Sequence, residues 1–127
     1  MKRGIILIDH GSRRKEANAA LETMARYLED ELSEHEVEDH LVRVAHMELL
    51  APTLEDAARA LAAEGAREII VFPYFLADGR HVSEDIPQQI EALREVLPEL
   101  QLTLLGPLGP DRALAKLIAA RLFGDAT

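Results

Sequence analysis

The sequence predicts an α/β protein: a four-stranded parallel sheet with helices on both faces. Two observations carry that prediction. Short runs that are almost wholly aliphatic recur along the chain, as expected of strands buried on both sides. Between them lie longer stretches whose apolar residues return every three or four positions, the period of a helix with one buried stripe. A length of 127 residues suits one hydrophobic core, so positions 1–127 are expected to form a single domain.

Gly4 to Asp9, with Ile5, Ile6, Leu7 and Ile8 in succession, reads as the first strand. From Ala17 the apolar positions Ala20, Leu21, Met24, Ala25, Leu28 and Leu32 define the first helix. Residues 40 to 46, with Leu41, Val42, Val44 and Ala45, form a second strand. Pro52-Thr53-Leu54-Glu55-Asp56 then opens a helix with Thr53 as its N-cap, and Gly65 closes it. Glu68 to Phe72 is the third strand, followed by a long loop from Pro73 to Ser83 and a helix beginning at Asp85-Ile86-Pro87-Gln88. Ile86, Ile90, Leu93 and Leu97 should face inward. Leu100 to Leu105 supplies the fourth strand, and Asp111 caps a last helix whose Leu114, Leu117, Ile118 and Leu122 are expected on its buried side.

Composition narrows the chemistry. The chain has no cysteine, which removes disulfides, thiolate metal sites and thiol nucleophiles and leaves imidazole and carboxylate as the donors for a transition metal. A formal net charge of −9 argues against nucleic acid as a partner, since phosphate binding needs clustered cations. Much of the acid lies between Glu29 and Asp39, in Asp30, Glu31, Glu34, Glu36 and Glu38, whereas Arg13, Arg14 and Lys15 stand together. The opening Met1-Lys2-Arg3 precedes an apolar run too short for a signal-peptide core and ended by Asp9. A cytoplasmic protein without a membrane span is expected.

In a flavodoxin-like order the sheet reverses between strands one and three, and ligands bind in the crevice opened there. That order brings together Asp9-His10-Gly11-Ser12-Arg13 and Phe75-Leu76-Ala77-Asp78-Gly79-Arg80-His81. Alone, a loop histidine is usually a surface residue. His10 and His81 meeting at one end of the sheet would suit a borderline divalent metal such as cobalt, nickel or iron, or would divide the roles of ligand and base. A third ligand would have to be a carboxylate or another histidine, and Glu48 is nearest by topology. Ser12 beside His10 does not make a hydrolase, because neighbouring residues in a strand or turn point apart. Gly11-Ser12 before a helix offers a weak phosphate site without a glycine-rich fingerprint.

Asp9-His10-Gly11-Ser12-Arg13, Met47-Glu48 and the long run Pro73-Tyr74-Phe75-Leu76-Ala77-Asp78-Gly79-Arg80-His81-Val82-Ser83-Glu84-Asp85-Ile86-Pro87 resemble the short form of the sirohydrochlorin chelatase family, the CbiX-like proteins. The likeness runs from the first strand through Gly106-Pro107-Leu108-Gly109 into the last helix. It implies a chelatase-like domain and insertion of a divalent metal, cobalt foremost, into sirohydrochlorin in cobalamin- or sirohaem-type tetrapyrrole biosynthesis. No organic cofactor is implied; the metal is a substrate. The resemblance carries metal binding to His10 and His81, proton acceptance to His10, and contact with the tetrapyrrole to Glu48, Leu76, Ala77, Asp78, Gly79 and Arg80.

A neutral imidazole near the ring suits the loss of pyrrole protons as the metal enters, but a histidine bound to metal through one nitrogen cannot take a proton there. Gly79 would let the backbone approach a flat ring, while Arg80, Arg13 and Arg14 suit its peripheral carboxylates, or are ordinary surface charges. His46 departs from the family pattern, which often has an apolar or aromatic residue there, and reads as a strand-end residue or a further metal contact. The long members of the family carry two such domains with the site between them, so a one-domain chain implies a homodimer.

Two other classes compete. A carrier module would hold metal or tetrapyrrole with the same residues and lack turnover. A receiver-like regulatory domain would need carboxylates at the first strand and a late lysine, whereas this first loop offers histidine and Lys116 lies within the last helix.

Overall fold

The computed structural model describes residues 2–35 and 39–124. Glu36 and Glu38 of the acidic stretch lie outside them. The elements follow in the order β1 (Arg3–Asp9), α1 (Lys15–Glu34), β2 (His40–His46), α2 (Leu54–Ala63), β3 (Glu68–Pro73), a π-helical turn (His81–Asp85), α3 (Ile86–Val96), β4 (Gln101–Leu104) and α4 (Arg112–Leu122). All strands are parallel, in the order β2-β1-β3-β4. The reversal between β1 and β3 is the one expected, and it fixes where the strand ends open.

Alternation along the strands divides the core in two. On one face Ile6, Ile8, Ile69 and Val71 pack against Leu54, Ala57, Ala58 and Leu61 of α2 and against Ile86, Ile90 and Leu93 of α3. On the other, Leu7, Val42 and Val44 pack against Leu21 and Ala25 of α1. Thr53 caps α2 as expected: its hydroxyl accepts from the Asp56 N–H at 3.1 Å, and Asp56 accepts from the Thr53 N–H at 2.9 Å. Gly65, at φ +103°, ends the helix in the left-handed region that a residue with a Cβ avoids.

Two expectations are corrected. His81 does not lie in an open loop. It begins the π-helical turn, closed by the Ile86 N–H donating to the His81 carbonyl. Pro87 has no N–H for the Ser83 carbonyl, so the ordinary ladder cannot close across this junction. The second correction concerns α4. Asp111 does cap it, accepting from the Ala113 N–H at 2.7 Å, but no α4 residue is buried. Leu114 is half-buried, and Leu117, Ile118 and Leu122 are exposed. An amphipathic stripe specifies that a face needs cover, not which surface supplies it.

Candidate functional site

At the carboxyl end of the sheet, the end of β1 is clamped to the end of β2. The Met47 N–H donates to the Asp9 carbonyl at 2.8 Å and the Glu48 N–H to the His10 carbonyl at 3.1 Å. Gly11 makes this approach possible. It sits at φ +96°, and a Cβ there would collide with the Glu48 carbonyl. On the other side, the Tyr74 N–H donates to the Ile8 carbonyl at 2.7 Å, so the chain after β3 leaves alongside the His10 loop.

The result brings His10 and His81 face to face, with ring centroids 4.4 Å apart and planes inclined by 31°. Each imidazole is oriented by a carboxylate. His10 Nε2 lies 2.5 Å from Glu48 Oε1, and His81 Nδ1 lies 2.9 Å from Asp85 Oδ2. With the Glu48 carboxylate against Nε2, the proton of neutral His10 belongs on that nitrogen and its lone pair on Nδ1. With Nδ1–H donated to Asp85, the lone pair of His81 is on Nε2. Both side chains are 45% exposed, so their rings are held from behind and open to a large ligand in front.

Glu48 therefore sits where the sequence pointed, but as the carboxylate in contact with His10. Among the described residues, no three histidine, aspartate or glutamate side chains converge as a metal cage. Leu76, Ala77, Asp78, Gly79 and Arg80 form an exposed shelf before His81. A Cβ on Gly79 would meet nothing within 4 Å, so the fold does not require glycine there and the space over it is free. Arg80 reaches Glu84 at 3.4 Å while remaining 81% exposed. Arg13 and Arg14 are exposed beside the His10 loop and make no ion pair among the described residues.

Asp85 and Leu49 escape sequence reasoning, and His46 takes the first of the two roles open to it, at the strand end. His46 is 3% exposed, its Nδ1 lying 2.6 Å from Asp9 Oδ1. It lies beneath the site as a tie between β1 and β2, not at the open surface. Asp85, which the pattern marks only as the start of a helix, orients His81. Leu49, at φ 79° and exposed, presents an apolar side chain next to Glu48; a branched residue in that region is uncommon, a signal only the backbone gives. Glu48 and Asp85 also line one cavity of about 300 Å³, with Met47, Gln88, Gln89 and Ala92.

The strand order and the facing imidazoles define a small α/β protein with a two-histidine site at its topological switch point, a donor set suited to a borderline divalent metal. The CbiX family model matches residues 4–124, and the chain belongs to the CbiX family. A sirohydrochlorin cobaltochelatase of Methanosarcina acetivorans is 34% identical over 129 residues, covering 95% of each chain. The chloroplastic sirohydrochlorin ferrochelatase of Arabidopsis thaliana is 34% identical over 119 residues, 94% of this chain but 51% of that protein. Thus the chain spans nearly the full length of one relative and about half of the other. The sirohydrochlorin chelatase SirB of Bacillus subtilis in complex with cobalt superposes with a TM-score of 0.82 at 27% identity, over 98% of this chain and 51% of that one. No helix among the described residues is long and apolar enough to cross a membrane.

Proposed function

We propose that this protein inserts a divalent metal, cobalt foremost, into sirohydrochlorin. Family membership supports the reaction class, and one observation carries the reading to particular residues: two imidazoles facing each other at 4.4 Å on the open end of the sheet, each with a carboxylate behind it. In the reaction, two pyrrole N–H bonds break, the ring nitrogens bind the divalent ion, and two protons leave. The metal and the tetrapyrrole are both substrates.

His81 holds the incoming ion through Nε2, the nitrogen that the Asp85 hydrogen bond leaves with a lone pair. His10 offers Nδ1. Because that is its single lone pair, His10 serves in turn as ligand and proton acceptor, taking one pyrrole proton once the ion has passed to the ring while the other goes to water at the open face; Glu48, on the opposite nitrogen, stabilises the imidazolium. The exposed shelf from Leu76 to Arg80 underlies the ring, with the Leu76 side chain as an apolar contact and the open space at Gly79 as clearance. Arg80, Arg13 and Arg14 meet peripheral carboxylates of the tetrapyrrole. Residues 1–127 act as one chelatase domain in the cytoplasm. The site has a floor and no roof, so the working unit is a homodimer that gives a flat substrate its second wall.

The test is anaerobic incubation of the protein with sirohydrochlorin and cobalt, nickel or iron in turn, followed by the visible spectrum of the tetrapyrrole. Insertion faster than in the protein-free control is expected, fastest with cobalt. Binding of ring and metal without accelerated insertion would make the protein a carrier and defeat the proposal.

A further inference from the structure

Among the described residues, His46 is the one buried polar side chain, and an apolar residue would fill its place without taking an imidazole out of water. Alternation sets His46 beyond Val42 and Val44 on β2, and Asp9 beyond Leu7 on β1, on the sheet face packed by α1. The two are register partners in the sheet, and His46 Nδ1 donates to Asp9 Oδ1 at 2.6 Å. His46 is itself held from β2's far side, its N–H donating to the Pro52 carbonyl at 2.8 Å. A buried pair of this kind adds little net stability over well-packed apolar residues. What it supplies is direction.

Direction matters because of what comes next in the chain. Pairing of β1 with β3 ends at Ile8 and Pro73, and Gly11, at φ +96°, leaves the loop beyond a free pivot. His10 stands between these two points. The backbone bonds from Met47 to Asp9 and from Glu48 to His10 hold the strand ends together, and the side-chain bond adds an anchor off that line. With the Asp9 side chain drawn to the α1 face, alternation sends the His10 side chain to the opposite one. That is the face packed by α3, the helix that continues from the π-helical turn bearing His81. His46 also underlies the pivot: a Cβ on Gly11 would sit 3.4 Å from the His46 Cβ. His81 arrives from the β3 side with its own partner, Asp85, and the pair does not touch it.

We propose that Asp9 and His46 are positioning residues for His10: their hydrogen bond fixes the end of β1 so that the His10 imidazole turns toward His81. The proposal rests on the metal-handling role given to His10 above, and adds two residues that act on the metal only through it.

The experiment titrates Co²⁺, without tetrapyrrole, into the full chain by calorimetry. His46→Leu should weaken binding about tenfold, as loss of a ligand's support does, and His46→Asn, whose amide N–H can stand in for Nδ1–H, should recover most of it. Asp9, less deeply buried at 20% exposed, gives a second route. Asp9→Ala should match His46→Leu, Asp9→Asn should recover most of the affinity through its acceptor oxygen, and Asp9→Ala/His46→Leu should lose no more than either change alone. Circular dichroism checks that each variant is folded. Background separates positioning from a general loosening of the fold: His46→Leu should have no further effect on His10→Ala, yet should keep its full effect on His81→Ala. Rates of cobalt insertion into sirohydrochlorin should follow the same order. Wild-type affinity in both His46→Leu and Asp9→Ala, or a tenfold loss that persists on His10→Ala, would overturn the proposal. This binding pattern without accelerated insertion would defeat the chelatase reading and leave the positioning role standing.

Discussion

At the scale of single residues, the proposed site rests on two imidazoles that belong to neither core. His10→Ala and His81→Ala should therefore leave the thermal midpoint nearly unchanged, as substitutions at exposed positions usually do, while insertion falls by about 10²- to 10⁴-fold. The two should differ in kind. His81→Ala should recover in part with excess metal, whereas His10→Ala should bind both substrates and insert slowly at any metal concentration, as steady-state rates against metal concentration will show. Arg80, highly exposed and already near Glu84, is worth little in isolation. Arg80→Ala should weaken tetrapyrrole binding about two- to fivefold and flatten its dependence on salt, measurable by fluorescence titration at two ionic strengths. His10, His81 and Glu48 were legible because the topology brings their loops together. Asp85 was not, since an acid four residues after a histidine on a helix looks like any surface pair. Nor was the Asp9–His46 tie, which depends on strand register across 37 positions.

At the scale of elements, the strands were readable because burial on both faces leaves continuous aliphatic runs, and the helix caps because Thr53 and Asp111 each satisfy a backbone N–H that no other group reaches. Thr53→Ala should cost about 1 kcal/mol and lower the melting temperature by about 3 to 5 °C, with the insertion rate per folded chain unchanged. Calorimetry and a rate assay on one preparation check both halves. The helical start at His81 was hidden, since the sequence from Pro73 to Ser83 carries loop residues and the turn is set by buried Val82 together with the missing donor of Pro87. The fate of α4 was hidden for a different reason. Its pattern of Leu114, Leu117, Ile118 and Leu122 fits burial against its own sheet and against another chain equally well.

At the scale of the whole molecule, the homodimer proposed above would tie activity to association. Insertion rate per chain should be constant at high protein concentration and fall as the protein is diluted through the dimer dissociation constant, with midpoint matching that from sedimentation. A rate per chain independent of dilution down to the monomer would refute a two-chain active unit.

The strap from Leu105 to Pro110 bears on the shelf from outside it. Its Gly109 lies against Leu76, the first residue of the exposed shelf, so closely that a Cβ would sit 2.6 Å from the Leu76 carbonyl oxygen. The strap thus braces one end of the shelf, and a side chain at 109 must push the two apart. The signature is kinetic: amide hydrogen exchange at Ala77 to Arg80 should quicken in Gly109→Ala, with no tetrapyrrole present.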